Sequence, residues 1–236
     1  MPLCLDRIRS LAHPVFSHIM TFRELTQLVA LGEGRHLEFK HSVPAPERIS
    51  KEVIAFANTA GGRLLLGVTD GGNIIGVRDA AEEEYALRKA LDAHCEPRVM
   101  FSTERVEVTK KRSVILVSIP SSSDKPHYLI AGHTRTAYVR VDEMSVEASP
   151  EAIRLMRTAR NPDDVLFEFG EKEQTLMRYL DSYGRISVEQ FANLVNIPSA
   201  QASNTLVVLA RANVLQLHAD PKEDYFTLAY NLTERS

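Results

Sequence analysis

Four charged side chains in the first third of the sequence could do chemistry together. Glu33 stands in a turn before a predicted strand, Glu38 and Lys40 lie within that strand, and Asp70 ends the next predicted strand beside a glycine pair. If the two strands are neighbours, the three carboxylates can converge, and grouped carboxylate oxygens suit Mg²⁺ or Mn²⁺. Such an ion could activate water and neutralise charge on a scissile phosphate, while Lys40 could stabilise a developing oxyanion. This reading predicts a catalytic site with Glu33, Glu38 and Asp70 as metal ligands and Lys40 assisting.

The same residues also have an ordinary explanation, which stays open. A glutamate in a turn is usually solvated, and an aspartate before two glycines usually belongs to a hairpin. Leu37 and Phe39 alternate with Glu38 and Lys40, so the charged face of this strand could simply be wet. We therefore expect Glu38 to lie outside the core.

The elements that must position these residues follow from hydrophobic periodicity. Thr21 and Glu24 form a capping box that predicts a helix up to about residue 31. The segment Asp-Gly-Gly at 70–72 predicts a hairpin that joins a buried strand at 63–69 to a partner at 73–77. Further helices are predicted at 47–58, 80–94 and 150–158, and further strands at 36–40, 99–109, 113–119, 127–130 and 136–141. The pattern is that of an α+β unit of two similar halves, each with strands and a helix.

Composition limits the classes of protein that the chain can belong to. Its 236 residues are 44% hydrophobic and 25% charged, as expected of a globular protein of one or two domains. Cys4 and Cys95 are the only cysteines, which excludes a disulfide scaffold or a cysteine-rich zinc module. Asp6, Arg7 and Arg9 interrupt the start of the chain, so it does not resemble a secretory signal, and no apolar run is long enough to span a bilayer. We expect a cytoplasmic protein with no membrane partner.

The last quarter of the sequence has a different pattern. Three helices are predicted at 171–182, 188–195 and 200–212, followed by short strands at 214–218 and 225–229. Three helices and a hairpin are typical of a winged helix-turn-helix. The predicted domain organisation is an N-terminal extension at 1–20, an α+β domain at 21–158, a linker at 159–170 and a winged-helix domain at 171–236.

Binding to phosphates would need local clusters of cations, because the net charge is −3 and the pI is about 6.3. One compact basic run lies at a predicted hairpin tip, and polar residues begin the third helix of the last domain, where they could read base edges. The candidate nucleic-acid contacts are Lys110, Lys111, Arg112, Arg63, Lys125, Arg140, Gln201 and Asn204. Each cation, taken singly, could equally be a solvated surface residue.

An ordered series of motifs resembles the Schlafen-type AlbA domain. The motifs are Gly-Glu at 32–33, Leu-Glu-Phe-Lys at 37–40, Ala-Phe-Ala-Asn-Thr-Ala-Gly-Gly at 55–62, Leu-Leu-Gly-Val-Thr-Asp-Gly-Gly at 65–72, Ile-Gly-Val at 75–77, Lys-Pro-His-Tyr at 125–128 and Tyr-Val-Arg-Val at 138–141. The resemblance covers about residues 21–158 and implies nucleic-acid binding. Animal Schlafen members cleave structured RNA, including tRNA, through three acids that fall by motif position on Glu33, Glu38 and Asp70.

Some departures from that family bear on function. The animal nucleases pair two such domains or lobes, whereas this chain has one copy before a winged helix, and many bacterial relatives resemble transcription regulators. Asp142 follows Arg140-Val141 where relatives often carry glycine. No Walker-type or dinucleotide-binding glycine motif is present, so no nucleotide cofactor is predicted.

The sequence thus leads to one main hypothesis and two alternatives. The main one is a nucleic-acid-binding protein, a DNA-binding transcriptional regulator that acts as a homodimer. The first alternative is an endoribonuclease that uses Mg²⁺ or Mn²⁺ to cut structured RNA such as tRNA through Glu33, Glu38 and Asp70. The second is a non-catalytic interaction or sensor protein.

Overall fold

A computed structural model describes residues 20–158 and 169–229. Within these ranges the chain forms an α+β body over 20–158 and a helical body with a terminal hairpin over 169–229, each with its own apolar core. Nearly all of the predicted N-terminal extension and linker lies outside the described residues, so the domain boundaries stay predictions.

The helices fall close to their predicted positions. They are α1 (Phe22–Val29), α2 (Pro46–Asn58), α3 (Ala80–His94), α4 (Pro150–Thr158), α5 (Glu171–Tyr183), α6 (Val188–Val195) and α7 (Ser199–Arg211). Local signals explain several of their ends. Thr21 and Ser187 each form the capping box that begins a helix, and Gly184 ends α5 with a left-handed backbone.

The strands form two four-stranded sheets and one hairpin. They are β1 (Leu37–Lys40), β2 (Gly62–Leu66), β3 (Cys95–Glu96), β4 (Ser102–Thr109), β5 (Arg112–Ile119), β6 (Tyr128–Ala131), β7 (Thr134–Val141), β8 (Met144–Glu147), β9 (Leu215–His218) and β10 (Tyr225–Leu228). The first sheet has the order β1-β2-β5-β4, with β1 parallel to β2 and the other pairs antiparallel. The second sheet has the order β3-β6-β7-β8.

Helix α2 lies at the centre of the α+β body. It packs against α3, against β5 of the first sheet and against β6, β7 and β8 of the second. Its residues from Val53 to Asn58 are all buried, and the main core forms around them. A second core under α1 covers the other face of the first sheet and includes Leu25, Phe39 and Leu65.

The predicted hairpin partner at 73–77 is not a strand, and that prediction is wrong. The segment makes only single bridges, Val68 with Ile74 and Val77 with Ser113, while β2 pairs with β1 and β5 instead. The Gly67 carbonyl accepts hydrogen bonds from the backbone N–H groups of both Ile75, at 3.0 Å, and Gly76, at 2.9 Å, which is not the pattern of a strand ladder. A Cβ on Gly67 would lie 2.9 Å from the Cα of Gly76, and Gly67 has a φ of +102°, which favours glycine.

The helical body has the predicted order of three helices and a hairpin. Leu176, Phe191, Leu206 and Phe226 lie in its core. A bridge between Ile186 and Phe226 ties the start of α6 to β10. The two bodies touch through α4 and α7. In the part of the chain that the structure describes, no helix has the length and apolar character needed to cross a membrane.

Candidate functional site

Glu33 covers the free edge of the first sheet. β1 is an edge strand, and Oε1 of Glu33 accepts a hydrogen bond of 2.8 Å from the backbone N–H of Phe39. Burial raises the pKa of Glu33, and the charges of Glu38 and Asp70 raise it further, while the Phe39 N–H and Lys40 act in the opposite direction. Glu33 therefore lies within electrostatic reach of the other three residues that were predicted to form a site.

Glu38 is a core residue, contrary to our expectation. It is only 6% exposed. Its Oε1 pairs with Lys40, and its Oε2 accepts a hydrogen bond of 2.5 Å from Nη2 of Arg140. The strand face opposite Leu37 and Phe39 is therefore not exposed to solvent, because Arg140 of β7 packs against it.

Arg140 is the hub of this buried network. Its guanidinium donates to Glu38, to Oε2 of Glu52 at 2.9 Å, to the Gly34 carbonyl at 3.1 Å and to Oγ of Ser145 at 3.3 Å. The side chain has no exposed surface. The prediction that Arg140 contacts phosphates is therefore wrong, because the guanidinium is enclosed and its charge is met by two carboxylates.

As placed, the acidic residues do not fit a divalent cation. Both carboxylate oxygens of Glu38 already bind cationic side chains, and Asp70 is exposed on its turn. Among residues 20–158 and 169–229, no group of three or more His, Cys, Asp or Glu side chains could hold a metal ion. The arrangement gives no support to the Mg²⁺ or Mn²⁺ prediction.

The basic run at the β4–β5 tip divides into two roles. Lys110 and Lys111 are exposed. Nη1 of Arg112 instead donates to the carbonyls of Gly76 at 2.9 Å and Ile75 at 3.3 Å, so Arg112 anchors the tip to the turn that follows β2. Because β5 runs antiparallel to β2, the tip lies at the same end of the sheet as Lys40.

The remaining predicted cations also differ in access. Arg63 at the start of β2 is exposed. Lys125 is half-buried, and its Nζ donates to the Thr59 carbonyl at 3.0 Å and to Oγ of Ser121 at 3.1 Å. Burial lowers the pKa of Lys125. Lys125 therefore closes the end of α2, a structural task that the sequence did not reveal.

Helix α7 presents the predicted polar residues to solvent. Gln201 and Asn204 are exposed near its N-terminal end. Ser203 between them is buried against α4, where its hydroxyl donates to Glu151 and accepts a hydrogen bond of 3.2 Å from Arg154. Contact between the bodies thus uses one face of α7 and leaves the Gln201 face open.

Sequence reasoning missed Glu52, which is essential to the buried network. Oε2 of Glu52 accepts hydrogen bonds from Arg140 and from Ser145. A signal was present, because Glu52 stands three residues after Ile49 and four before Phe56, on the apolar face of α2. A carboxylate in that position needs a buried partner.

The fold and the site together define the class of protein. It has an α+β domain with a buried ionic network, followed by helices and a hairpin. Residues 33–149 match the family model described as Schlafen, AlbA_2. The first body is therefore a Schlafen AlbA-type domain, and the family indicates a nucleic-acid-related function.

No curated protein matches the sequence. One similar solved structure is the N-terminal domain of a RecG-related protein from Nitrosomonas europaea, with 17% identity and a TM-score of 0.40 over 56% of this chain and 94% of that one. Another is the DIP2311 protein from Corynebacterium diphtheriae, with 15% identity and a TM-score of 0.42 over 83% of this chain and 34% of that one.

Proposed function

We propose that this protein is a DNA-binding transcriptional regulator. The observation that carries the proposal is the open face of α7. α6 and α7 pack together across a turn of only three residues, 196–198, as in a helix-turn-helix. Gln201 and Asn204 remain exposed at the N-terminal end of the second helix, where amide side chains can bind adenine edges in the major groove.

Exposed cations of the AlbA-type domain would supply phosphate contacts. Lys110, Lys111 and Arg63 keep their charges at the surface, whereas Arg140 and Lys125 are used internally. Because the net charge is −3 and only part of the predicted set of cations remains at the surface, binding should be modest and salt-sensitive. A homodimer that places two copies of α7 on two half-sites would raise the affinity and predicts a palindromic target.

Acids in the β9–β10 turn do not argue strongly against this proposal. Oδ1 of Asp220 accepts the backbone N–H of Lys222 at 2.8 Å, and Oδ1 of Asp224 accepts that of Asp220 at 3.0 Å. These carboxylates hold the turn together, so their presence has a structural reason that is independent of the ligand.

The test is selection of binding sequences from random duplex DNA, followed by fluorescence anisotropy on the selected duplex. We expect the double variant Gln201→Ala/Asn204→Ala to lose about 1–3 kcal/mol of discrimination for each base contact removed. Gln174→Ala, which removes an exposed amide from α5, should leave discrimination unchanged. Failure to bind duplex DNA, tRNA or single strands at low salt would reject the proposal.

RNA cleavage at the acidic cluster is the second candidate. Its support is the placement of Glu33 and of the Glu38–Lys40 pair together on the edge strand β1. Incubation of tRNA with and without Mg²⁺, followed by gel analysis, tests it. Equal cleavage by the parent protein and by Glu33→Gln would exclude this site, and an absence of cleavage under all conditions would exclude the activity.

A further inference from the structure

A serine and a histidine on the segment before β6 are placed as a nucleophile and its base. Oγ of Ser122 lies 2.7 Å from Nε2 of His127, which is hydrogen-bond distance. His127 belongs to the Lys-Pro-His-Tyr motif at 125–128, and neither the acidic cluster nor the open face of α7 involves it. A hydroxyl within hydrogen-bond reach of an imidazole is the arrangement in which serine acts as a nucleophile.

The hydrogen bonds of the imidazole determine which nitrogen can take up a proton. Nδ1 of His127 lies 2.8 Å from the carbonyl oxygen of Pro97. Because a carbonyl oxygen only accepts, Nδ1 carries the hydrogen. In the neutral ring Nε2 is then an acceptor, so the Ser122 hydroxyl donates to it. The Pro97 carbonyl therefore orients the base, which is the task of the third group in a catalytic triad.

The hydrogen of the Ser122 hydroxyl has only the imidazole as its acceptor in the part of the chain that the structure describes. The other hydrogen bond of Oγ is one that it accepts, at 2.9 Å, from the backbone N–H of Asp124. The pair of His218 and Thr227 differs, because the Thr227 hydroxyl donates to the Leu228 carbonyl. Ser122 offers its hydrogen to an imidazole base, whereas Thr227 does not.

The base is shielded from water while the nucleophile stays within reach of solvent. His127 is 1% exposed, whereas Ser122 is half-buried between the exposed residues Ser121 and Ser123. The backbone N–H of Ser122 donates to the Ala57 carbonyl at 2.9 Å, which ties the loop to α2. The two side chains are thus held in place before any substrate arrives.

A hydrogen-bond donor is also available beside the nucleophile. Among the described residues, the backbone N–H of Ser123 has no hydrogen-bond partner. When a serine attacks a carbonyl group, the carbonyl oxygen becomes negative and needs such donors. The residue after the nucleophile supplies one of them in serine hydrolases, and Ser123 occupies that position in this chain.

We propose that Ser122 is a nucleophile that accepts the acyl group of a small activated carboxylic ester, with His127 as its general base. Oγ forms a bond to the carbonyl carbon while its proton passes to Nε2. The bond from that carbon to the leaving oxygen breaks, and the leaving alcohol takes the proton from Nε2. Water then attacks the acyl carbon in the same way, which releases the carboxylic acid and restores Ser122. The open loop suits a short acyl group with a good leaving group.

The experiment treats the full chain with an alkyl fluorophosphonate, which phosphonylates activated serines and releases fluoride. Peptide mass spectrometry should find the phosphonate on Ser122 of the folded protein. Labelling in urea should be slower by about 100-fold or more, because unfolding separates the serine from its base. Hydrolysis of p-nitrophenyl acetate, followed by the release of p-nitrophenolate, should stop in the phosphonylated protein. Equal labelling of folded and unfolded chains, or no labelling of Ser122, would overturn the proposal.

Variants separate the nucleophile from its base. Ser122→Ala should incorporate no phosphonate at this loop, whereas Ser123→Ala, which removes the hydroxyl of the next residue and keeps its backbone N–H, should be labelled like the parent. His127→Gln should be labelled more slowly by about 100-fold or more, and its urea midpoint shows whether it is folded. If it is not, the comparison of the parent protein with and without urea decides. An unchanged labelling rate in folded His127→Gln would overturn the proposal.

Discussion

The charged residues of the AlbA-type domain stabilise a structure before they perform any reaction. Arg140 and Lys40 face Glu38 and Glu52 in a network that is nearly closed to solvent. Breaking a buried pair by removing one partner leaves an uncompensated charge, which costs far more than the loss of a surface pair. The network therefore fixes the second sheet against β1 and α2.

Arg140→Met should reduce the free energy of unfolding by about 3–5 kcal/mol, because it leaves the carboxylates of Glu38 and Glu52 buried without their guanidinium. Urea denaturation followed by circular dichroism measures this. The matched control is Arg98→Met, which breaks an exposed pair with Asp92 and should cost less than about 1 kcal/mol. Similar losses in the two variants would contradict the structural role of the network.

Glu33 gives a prediction with a defined pH dependence. Burial, with the charges of Glu38 and Asp70, raises the pKa of Glu33 in the folded state, so the folded protein binds this proton more tightly than the unfolded chain. Stability then falls as the pH rises through the interval above the ordinary glutamate pKa.

Glu33→Gln should therefore be more stable than the parent at neutral pH, since the amide oxygen can still accept the Phe39 N–H without a charge. The advantage should vanish at acidic pH, where Glu33 itself is protonated. Urea midpoints measured across pH 3–8, with the exposed Glu47→Gln as control, check this. A midpoint that is lower in Glu33→Gln at every pH would show that the carboxylate is net stabilising.

At the level of elements, the tip between β4 and β5 presents exposed cations at one end of the first sheet. The β4–β5 tip carries Lys110 and Lys111, and the hydrogen bonds of Arg112 to Ile75 and Gly76 hold it in place. A tip fixed in this way presents its two lysines in a defined position and not on a loose loop. For this reason we propose the tip as the element that contacts phosphates.

Replacing both lysines by alanine should lower the slope of log K against log salt by about 1.8, because each phosphate contact contributes about 0.9 for duplex DNA. Anisotropy titrations at several salt concentrations measure the slope. Arg98→Ala removes a cation just before β4, at the end of that strand opposite the tip, and should leave the slope unchanged. An unaltered slope in the double variant would exclude the tip from the interface.

Local signals predicted the elements better than their partners. The capping box at Thr21 depends on residues three apart, so the sequence shows it directly. The partner of Glu38 is Arg140, 102 residues away, and no local pattern encodes such a contact. The alternation in β1 correctly separated its two faces, but it could not show that β7 and α2 cover the charged one.

The pairing of β2 shows the same limit. The turn signal at 70–72 predicted a reversal of the chain, and the structure has a tight turn there. The strands that pair with β2, however, are β1 and β5. A cleft lined by Arg35 and His218 could not be predicted either, because these residues belong to different bodies and lie far apart in sequence. Pairing and clefts are set by tertiary packing, which periodicity does not report.

At the scale of the whole molecule, the two bodies meet in a contact that has polar and apolar parts. Leu217 and Ala219 of the helical body pack against a core that contains Ala152 and Met156 of α4. The residues that form the core around α2 and those that form the core of the helical body are separate sets. Ser203 of α7 lies between them, hydrogen-bonded to Glu151 and Arg154 of α4. A contact of this kind can be opened without unfolding either body.

Ser203→Arg should separate the two bodies, because a long cation cannot fit at a buried position that now holds a hydroxyl. We expect a larger radius of gyration in small-angle X-ray scattering, with an unchanged far-ultraviolet circular dichroism spectrum. Asn204→Arg adds the same side chain one residue further along α7, on the exposed face, and should leave the radius unchanged. If both variants scatter like the parent, the α4–α7 contact does not hold the bodies together in solution. If Ser203→Arg loses helical signal, Ser203 is needed for the helical body itself and not only for the contact.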